Sequence, residues 1–396
     1  MSRDAGVDQP AWARGNAFEK KPEGPQYGVR DGQGVELGFD DLDELKAHLD
    51  TGKGRLAWVW VPEHERLLAP EEVPELAGSL KKRRLIFAQQ DEDAFRRSLL
   101  LTGILVLYAA YAFLRGAQPF GFGGLDFLVI SVFAFLYFTA RPWWEARKGR
   151  KAAGNLKAKT MAEEIPEARF ELWMEMQKTP LSVFLMALLI LVGAAQFFIP
   201  DVGNFEGIRE GGLDKVRYAQ GERWRLFTAA FLHGNLIHFI LNASALWYLG
   251  RRVEILARWP QLAGVFFLGI LGAGWATVEI MPNQLSVGIS GVVCGLLGFL
   301  LVFETLHRKL VPRPARRRLA AILISLVVIG VLGFRFIDNA AHFGGLATGV
   351  AYALVVFPKS SSPHRPAILL QDYLIGGVAL VLISASALGA LAAMIL

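Results

Sequence analysis

Beyond about residue 98 the chain alternates long apolar blocks with polar breaks, every second one basic; before that point the pattern is short-period and mixed. A block of about 20 apolar residues crosses a bilayer as one helix. Such blocks at about 98–114, 125–140, 180–199, 226–249, 262–280, 286–303, 319–336, 337–357 and 372–395 predict an all-α polytopic membrane protein. In the earlier part, Tyr27 to Phe39 reads as a hairpin with Asp31-Gly32 at its turn. Asp40 to Leu49 reads as an acid-started amphipathic helix, and Leu56 to Val61 as a strand. Residues 26–78 are therefore expected to form a small soluble α/β domain. Residues 1–25 carry Gly, Pro and charge without periodicity and are expected to be disordered. Residues 98–140 read as a transmembrane hairpin, 141–178 as a basic linker running into an amphipathic helix, and 358–396 as a polar link followed by an extra C-terminal transmembrane helix.

Composition sharpens this picture. With 396 residues, 53% of them hydrophobic, and a mean hydropathy of +0.35, the chain is too apolar for an ordinary soluble enzyme. The net charge of +6 does not point to nucleic acid, because Lys and Arg cluster at the ends of the apolar blocks. The basic segments 81–97, 141–159, 251–258, 307–318 and 359–365 fall at every second loop, so all can be cytoplasmic at once. That arrangement leaves the N-terminus cytoplasmic and the C-terminus outside. The first 30 residues are polar, so the first apolar block is expected to act as an uncleaved signal-anchor. With no organellar targeting pattern, a bacterial inner membrane is the expected location. The single cysteine, Cys294, excludes an internal disulfide framework.

Three stretches carry candidate chemistry. Gly288-Ile-Ser-Gly291 opens an apolar helix, where Ser290 has an exposed hydroxyl and a backbone N–H with no partner inside the helix. On these residues alone the commoner reading is a small-residue packing seam. Ala341-His-Phe-Gly-Gly345 opens another apolar span. There His342 shares a helix face with Gly345 and Gly349, which suit close approach of a second helix. A serine needs a base before it attacks, and an intramembrane histidine is a functional candidate, although a packing histidine fits as well. In His233-Gly-Asn-Leu-Ile-His238, Asn235 is a candidate cap, and His238 and Asn242 lie i, i+4 on one face. Both can donate hydrogen bonds to an oxyanion. His233 reads as a structural or interfacial histidine, and Glu279, Glu304 and Arg335 lie near span ends where they are expected to reach the interface.

Together with Glu222-Arg-Trp-Arg225, these motifs occur in the order found in rhomboids, the intramembrane serine proteases that the chain resembles over residues 179–357. The resemblance implies a six-helix rhomboid core, here with one helix added after it and two before it. It implies a Ser290–His342 dyad, an oxyanion hole of the Ser290 N–H with His238 and Asn242, and Gly288 and Gly291 as the glycines that let a substrate backbone approach. It also implies a structured first loop in which Trp224 and Arg225 act, with Arg225 holding the loop backbone. Asp338, one turn before His342, reads as a helix cap. Family members often carry a tyrosine where this chain has Cys294, which is expected to be a packing residue, with Phe343 available to stack on His342 instead.

By the same resemblance the substrates are transmembrane proteins, cut near the outer face of the bilayer. No cofactor, metal or nucleic acid is implied, since no carboxylate or cysteine cluster accompanies the histidines at ligand spacing. Residues 26–78 also resemble the small GYF-like domains of bacterial multidomain proteins, a reading that implies a cytoplasmic partner. Two other readings stay open: a catalytically inactive rhomboid-like protein that binds membrane helices, and a small-molecule transporter. Few charges and no paired interrupted helices speak against the transporter.

Overall fold

The computed structural model describes residues 9–32, 34–52, 56–118, 124–199, 205–334 and 337–395. It divides into one unit of residues 12–175 and another made up mainly of residues 176–396.

In the first unit, β1 (Tyr27–Asp31), β2 (Glu36–Phe39) and β3 (Leu56–Trp60) form an antiparallel sheet of order β2-β1-β3, with Tyr27 opposite Phe39 and Gly28 opposite Trp60. The helix α1 (Leu42–Asp50) starts where the sequence implies, because the Asp41 carboxylate accepts from the N–H groups of Asp43 and Glu44. Val29, Leu45, Leu49, Val59 and Leu68 form the core beneath the sheet. Two expectations change here. Residues 9–25 are folded rather than disordered: Trp12 is buried against Phe170, and Arg169 donates to the carbonyls of Trp12 and Arg14. The expected basic linker is helical throughout most of its length, as α4 (Arg141–Asn155) and α5 (Ala158–Met176). Arg84 of α2 pairs with Glu164 of α5, which helps fix that segment.

The first apolar span is the end of a single 38-residue helix, α2 (Ala77–Leu114), whose polar first half the sequence does not separate from the span by any breaker. It packs on α3 (Gly124–Phe135), which continues through a π-helical turn at Leu136–Ala140 into α4. Ser98 donates to the Phe138 carbonyl at 2.6 Å, and Thr102 and Thr139 share a hydrogen bond of 2.7 Å, so side chains of α2 partner polar groups at the widened turn.

The second unit holds α6 (Pro180–Phe198), α7 (Phe205–Gly211), α8 (Lys215–Ala219), α9 (Arg225–Thr228), α10 (Leu236–Ala257), α11 (Trp259–Ile280), α12 (Ser290–Leu306), α13 (Arg313–Leu332), α14 (Asn339–Val356) and α15 (Leu370–Ile395). Among the described residues six helices are long and apolar enough to cross a membrane, and Arg225–Phe231 with α10 passes the same length and composition test only as a pair, bent by 91° at the break. The bend corrects the single block expected at 226–249. Asn235 ends the first piece by accepting from the His238 N–H at 2.8 Å, which starts α10 afresh. The apolar helix α12 has only 17 residues, a length of about 26 Å at 1.5 Å per residue. That is short of the ~30 Å hydrocarbon thickness, because Ser286 to Ile289 are loop rather than helix.

Buried polar pairs align the helix ends. Glu254 of α10 accepts from the N–H groups of Leu181 and Ser182, capping α6. Glu304, expected at the interface, is instead buried and bound by Arg252 at 2.6 Å. Arg335, expected there too, lies outside the described residues. The Ser360 N–H donates to the Leu306 carbonyl. One end of the bundle therefore gathers the start of α6 and the ends of α10, α12 and α14, together with the three basic segments that follow those helices. Gln196, Leu213, Ser286 and Asp338 lie towards the other end.

The central contact is α12 against α14. A methyl group at Gly345 would lie 1.8 Å from the Gly291 carbonyl oxygen, and one at Gly349 would lie 1.9 Å from that of Gly295. The two backbones are thus in direct contact, which only glycine permits. Gly349→Ala should lower stability by roughly 1–3 kcal/mol through overpacking against backbone that cannot rotate away. The midpoint of unfolding in detergent measures this; an unchanged midpoint would contradict the seam.

Candidate active site

The glycine seam brings the predicted serine and histidine segments together. Ser290 is the first residue of α12 and His342 lies in the first turn of α14. A methyl group at Gly291, next to Ser290, would sit 3.1 Å from the carbonyl oxygen of Ala341, next to His342. Both Ser290 and His342 are half-buried.

The helix starts differ in a chemically useful way. Asp338 caps α14 by accepting from the Ala341 N–H at 2.8 Å, and Asn235 caps α10. For α12 the N-cap residue is Ile289, which offers no side-chain acceptor. The N–H groups of the first turn, that of Ser290 among them, remain directed at whatever lies beyond the helix start.

Gly288 lies just before this start at φ +109°, a left-handed conformation that favours glycine. A methyl group there would lie 2.8 Å from His238 Cε1 and 3.3 Å from Asn242 Nδ2. The turn leading to Ser290 is thus pressed against the His238/Asn242 face of α10. Asn242 is buried, and its Nδ2 donates to no acceptor in the described chain. A buried amide donor left so is costly unless it serves something outside the chain. Gly291 departs from expectation. It is buried, with a methyl group there only 2.3 Å from Ala273 Cβ, so α11 and α14 already occupy the space expected to admit a substrate backbone.

His233 is fully buried rather than interfacial, with its ring edge-on to His238 at 5.2 Å. Its backbone is clamped by the Gln196 side chain, which accepts from the His233 N–H at 3.0 Å and donates to its carbonyl. Cys294 is buried one turn below Ser290. Phe343 is 67% exposed, so it does not take up the stacking expected of it.

Arg225 is 1% exposed and gathers the loop before α9. Its Nη1 donates to the carbonyls of Arg209, Glu210 and Gly212 at 3.0, 2.5 and 3.0 Å, and its Nε to Glu222 at 2.5 Å. Its guanidinium also stacks 4.7 Å from the Trp224 ring. Outside the spans, Glu210 has its carboxyl held below the usual range by a hydrogen bond from Arg217.

A polar cluster that motif reasoning missed joins this loop to the site. Lys215 Nζ donates to the Ser286 hydroxyl and the Gln284 carbonyl; Ser286 Oγ donates to Asp338 Oδ2, as does Thr277 Oγ1. Burial pushes the Lys215 ammonium down from 10.5 to about 8, partly offset by Asp338 and Asp214. Nothing in the spacing of these residues marks them; only the folded loop brings them together.

Residues 220–359 match the rhomboid domain family. The chain is 32% identical over 208 residues to rhomboid protease GluP of Bacillus subtilis, covering 48% of this chain and 39% of that one. It is 29% identical over 176 residues to rhomboid protease GlpG of Pectobacterium atrosepticum, covering 44% and 62%. It is also 31% identical over 137 residues to inactive rhomboid protein 2 of Homo sapiens, covering 34% and 16%. The chain thus spans less than two thirds of the length of each of these relatives.

Arg225→Ala should leave three carbonyls short of a donor, the buried one of Gly212 among them at about 1–3 kcal/mol. Limited proteolysis should then cut within residues 205–222 faster than in the unmodified chain; equal cutting rates would contradict a holding role.

Proposed function

Since the chain carries a rhomboid domain over residues 220–359, we propose that it is an intramembrane serine endopeptidase acting on transmembrane segments through a Ser290–His342 dyad. The observation that carries this reading is the backbone contact of α12 and α14 beside Ser290 and His342, with Gly288 pressed onto His238 and Asn242. Ser290 Oγ attacks the scissile carbonyl while His342 accepts its proton, and His342 then passes the proton to the leaving amine. The Ser290 N–H, His238 and Asn242 donate to the oxyanion. We assign Asp338 no step in the proton transfer: its oxygens accept from Ala341, Ser286 and Thr277, and none of these bonds reaches His342. Water reaches the dyad from the outer face, and the glycine seam closes the floor.

The positive segments support a cytoplasmic N-terminus and an outside C-terminus, and the location proposed with them is a bacterial inner membrane. The sheet domain is then cytoplasmic and available to a partner there. A second reading, a rhomboid-like protein that binds membrane helices without cutting them, is favoured by the likeness to the inactive human relative. The presence of both Ser290 and His342 supports the protease.

Purified protein should cleave a model single-span substrate, and Ser290→Ala and His342→Ala should each abolish cleavage while leaving the protein folded. Asn242→Ala should cost on the order of 3 kcal/mol of transition-state stabilisation. Cys294→Ala should keep most activity; loss there with Ser290→Ala still active would assign the nucleophile to Cys294 instead. In intact cells, residues 12–90 should resist external protease and a tag after Leu396 should be accessible. A cytoplasmic C-terminal tag would show the orientation to be wrong.

A further inference from the structure

We propose that Lys215 is a positioning residue that ties the first loop, through Ser286 and Asp338, to both halves of the Ser290–His342 pair. The inference rests on the protease reading above and extends it to a group outside the dyad and the oxyanion donors.

The geometry is directional. Lys215 Nζ donates to Ser286 Oγ, Ser286 donates onward to Asp338 Oδ2, and the other oxygen of Asp338 caps the helix that carries His342. A second Nζ bond, to the Gln284 carbonyl, grips the same 281–289 loop, which contains Gly288 and leads into Ser290. Leu213 and Ser286 also exchange backbone hydrogen bonds of 3.0 and 3.2 Å, so this part of the loop has little freedom. One buried ammonium therefore joins α8, the turn before the serine and the start of the histidine helix. Among the described residues the charged groups facing it are Asp214, the cap of its own helix, and Asp338 from α14; Ser286 and Gln284 from the loop are neutral.

Loss of the proton from Lys215 removes its attraction for Asp338 and one N–H, and loosens the turn that sets the serine against the histidine. Misplacement of reacting groups by ~1 Å can lower a rate by up to about a hundredfold. Cleavage by the wild type should therefore decline above a midpoint near pH 8. Folding behaves in the opposite sense. Because the folded value is depressed below the ordinary 10.5, the folded state favours the neutral amine, and this group's contribution to stability improves as pH rises from about 8 to 10.5. A residue with a merely structural role would not separate the two trends.

The test measures kcat and KM of the full chain in detergent on a single-span substrate from pH 6 to 9.5, with fluorophosphonate labelling of Ser290 alongside. Lys215→Met should lower kcat roughly tenfold at pH 7 with KM within about threefold, and should lose the alkaline decline. Lys215→Arg, which keeps its charge, should remain active at pH 9.5. Wild-type kcat and pH profile in Lys215→Met would overturn the proposal. Should that variant fail to fold, an alkaline decline in Lys215→Arg matching the wild type would overturn it, and so would a wild type with no decline up to pH 9.5. A wild type that neither cleaves nor labels at Ser290 at any pH would overturn the protease reading itself, and the inference with it.

Discussion

The site depends on two helix backbones lying in contact. In lipid, helices gain nothing from the hydrophobic effect by associating, because the tails are as apolar as the side chains; close van der Waals packing must hold them. Gly291 and Gly295 of α12 present carbonyl oxygens to the Cα atoms of Gly345 and Gly349 of α14, and the same i, i+4 spacing on both helices keeps the contact in register for two turns. The seam begins at the residue after Ser290 and three residues after His342. A side chain anywhere along it would widen the separation of the helix starts that carry Ser290 and His342.

A glycine seam fixes distance but leaves sliding cheap. Polar groups supply the register. Arg252 with Glu304 ties α10 to α12, Glu254 caps α6 from α10, and the Tyr352 hydroxyl donates to Gln261 at 2.6 Å across α14 and α11. Each is a pair that costs energy to bury and more to break, since removal of one partner leaves the other uncompensated in an apolar setting. Their value here is specificity: a shift of one helix by a turn would strand several of them together.

Much of this was legible in the sequence wherever chemistry is local. Helix existence, the hairpin with Asp31-Gly32 and the caps at Asp41 and Asp338 follow from residue type and spacing, and the glycine faces of α12 and α14 could be read as mates. Contacts across loops could not be read. Glu304 looks like an interfacial acid until Arg252, distant in sequence, is beside it. The break before α10 is masked by the apolar residues on either side of Gly234-Asn235. Gly288 and Gly291 carry the same letter, yet one is held at a positive φ against His238 and the other is packed against Ala273. Trp12 sits in a segment of disordered composition, and its partners Arg169 and Phe170, far along the chain, show why it is ordered.

The carboxylate one turn before the histidine illustrates how position alone misleads. Asp338 is near enough to His342 to suggest a triad of serine, histidine and acid. Its hydrogen bonds argue otherwise. Oδ1 is engaged by the Ala341 N–H, which the helix start requires, and Oδ2 by the hydroxyls of Ser286 and Thr277. These three bonds tie the carboxylate to the helix start, to α11 and to the 281–289 loop, and none of them reaches the imidazole. His342 is carried by a helix fixed by the glycine seam on one side and by the Asp338 cap at its start. In the dyad proposed above, the backbone would do what an acidic third residue does in a triad. That substitution suits a site in the bilayer, where a further charge would have to be buried and partnered.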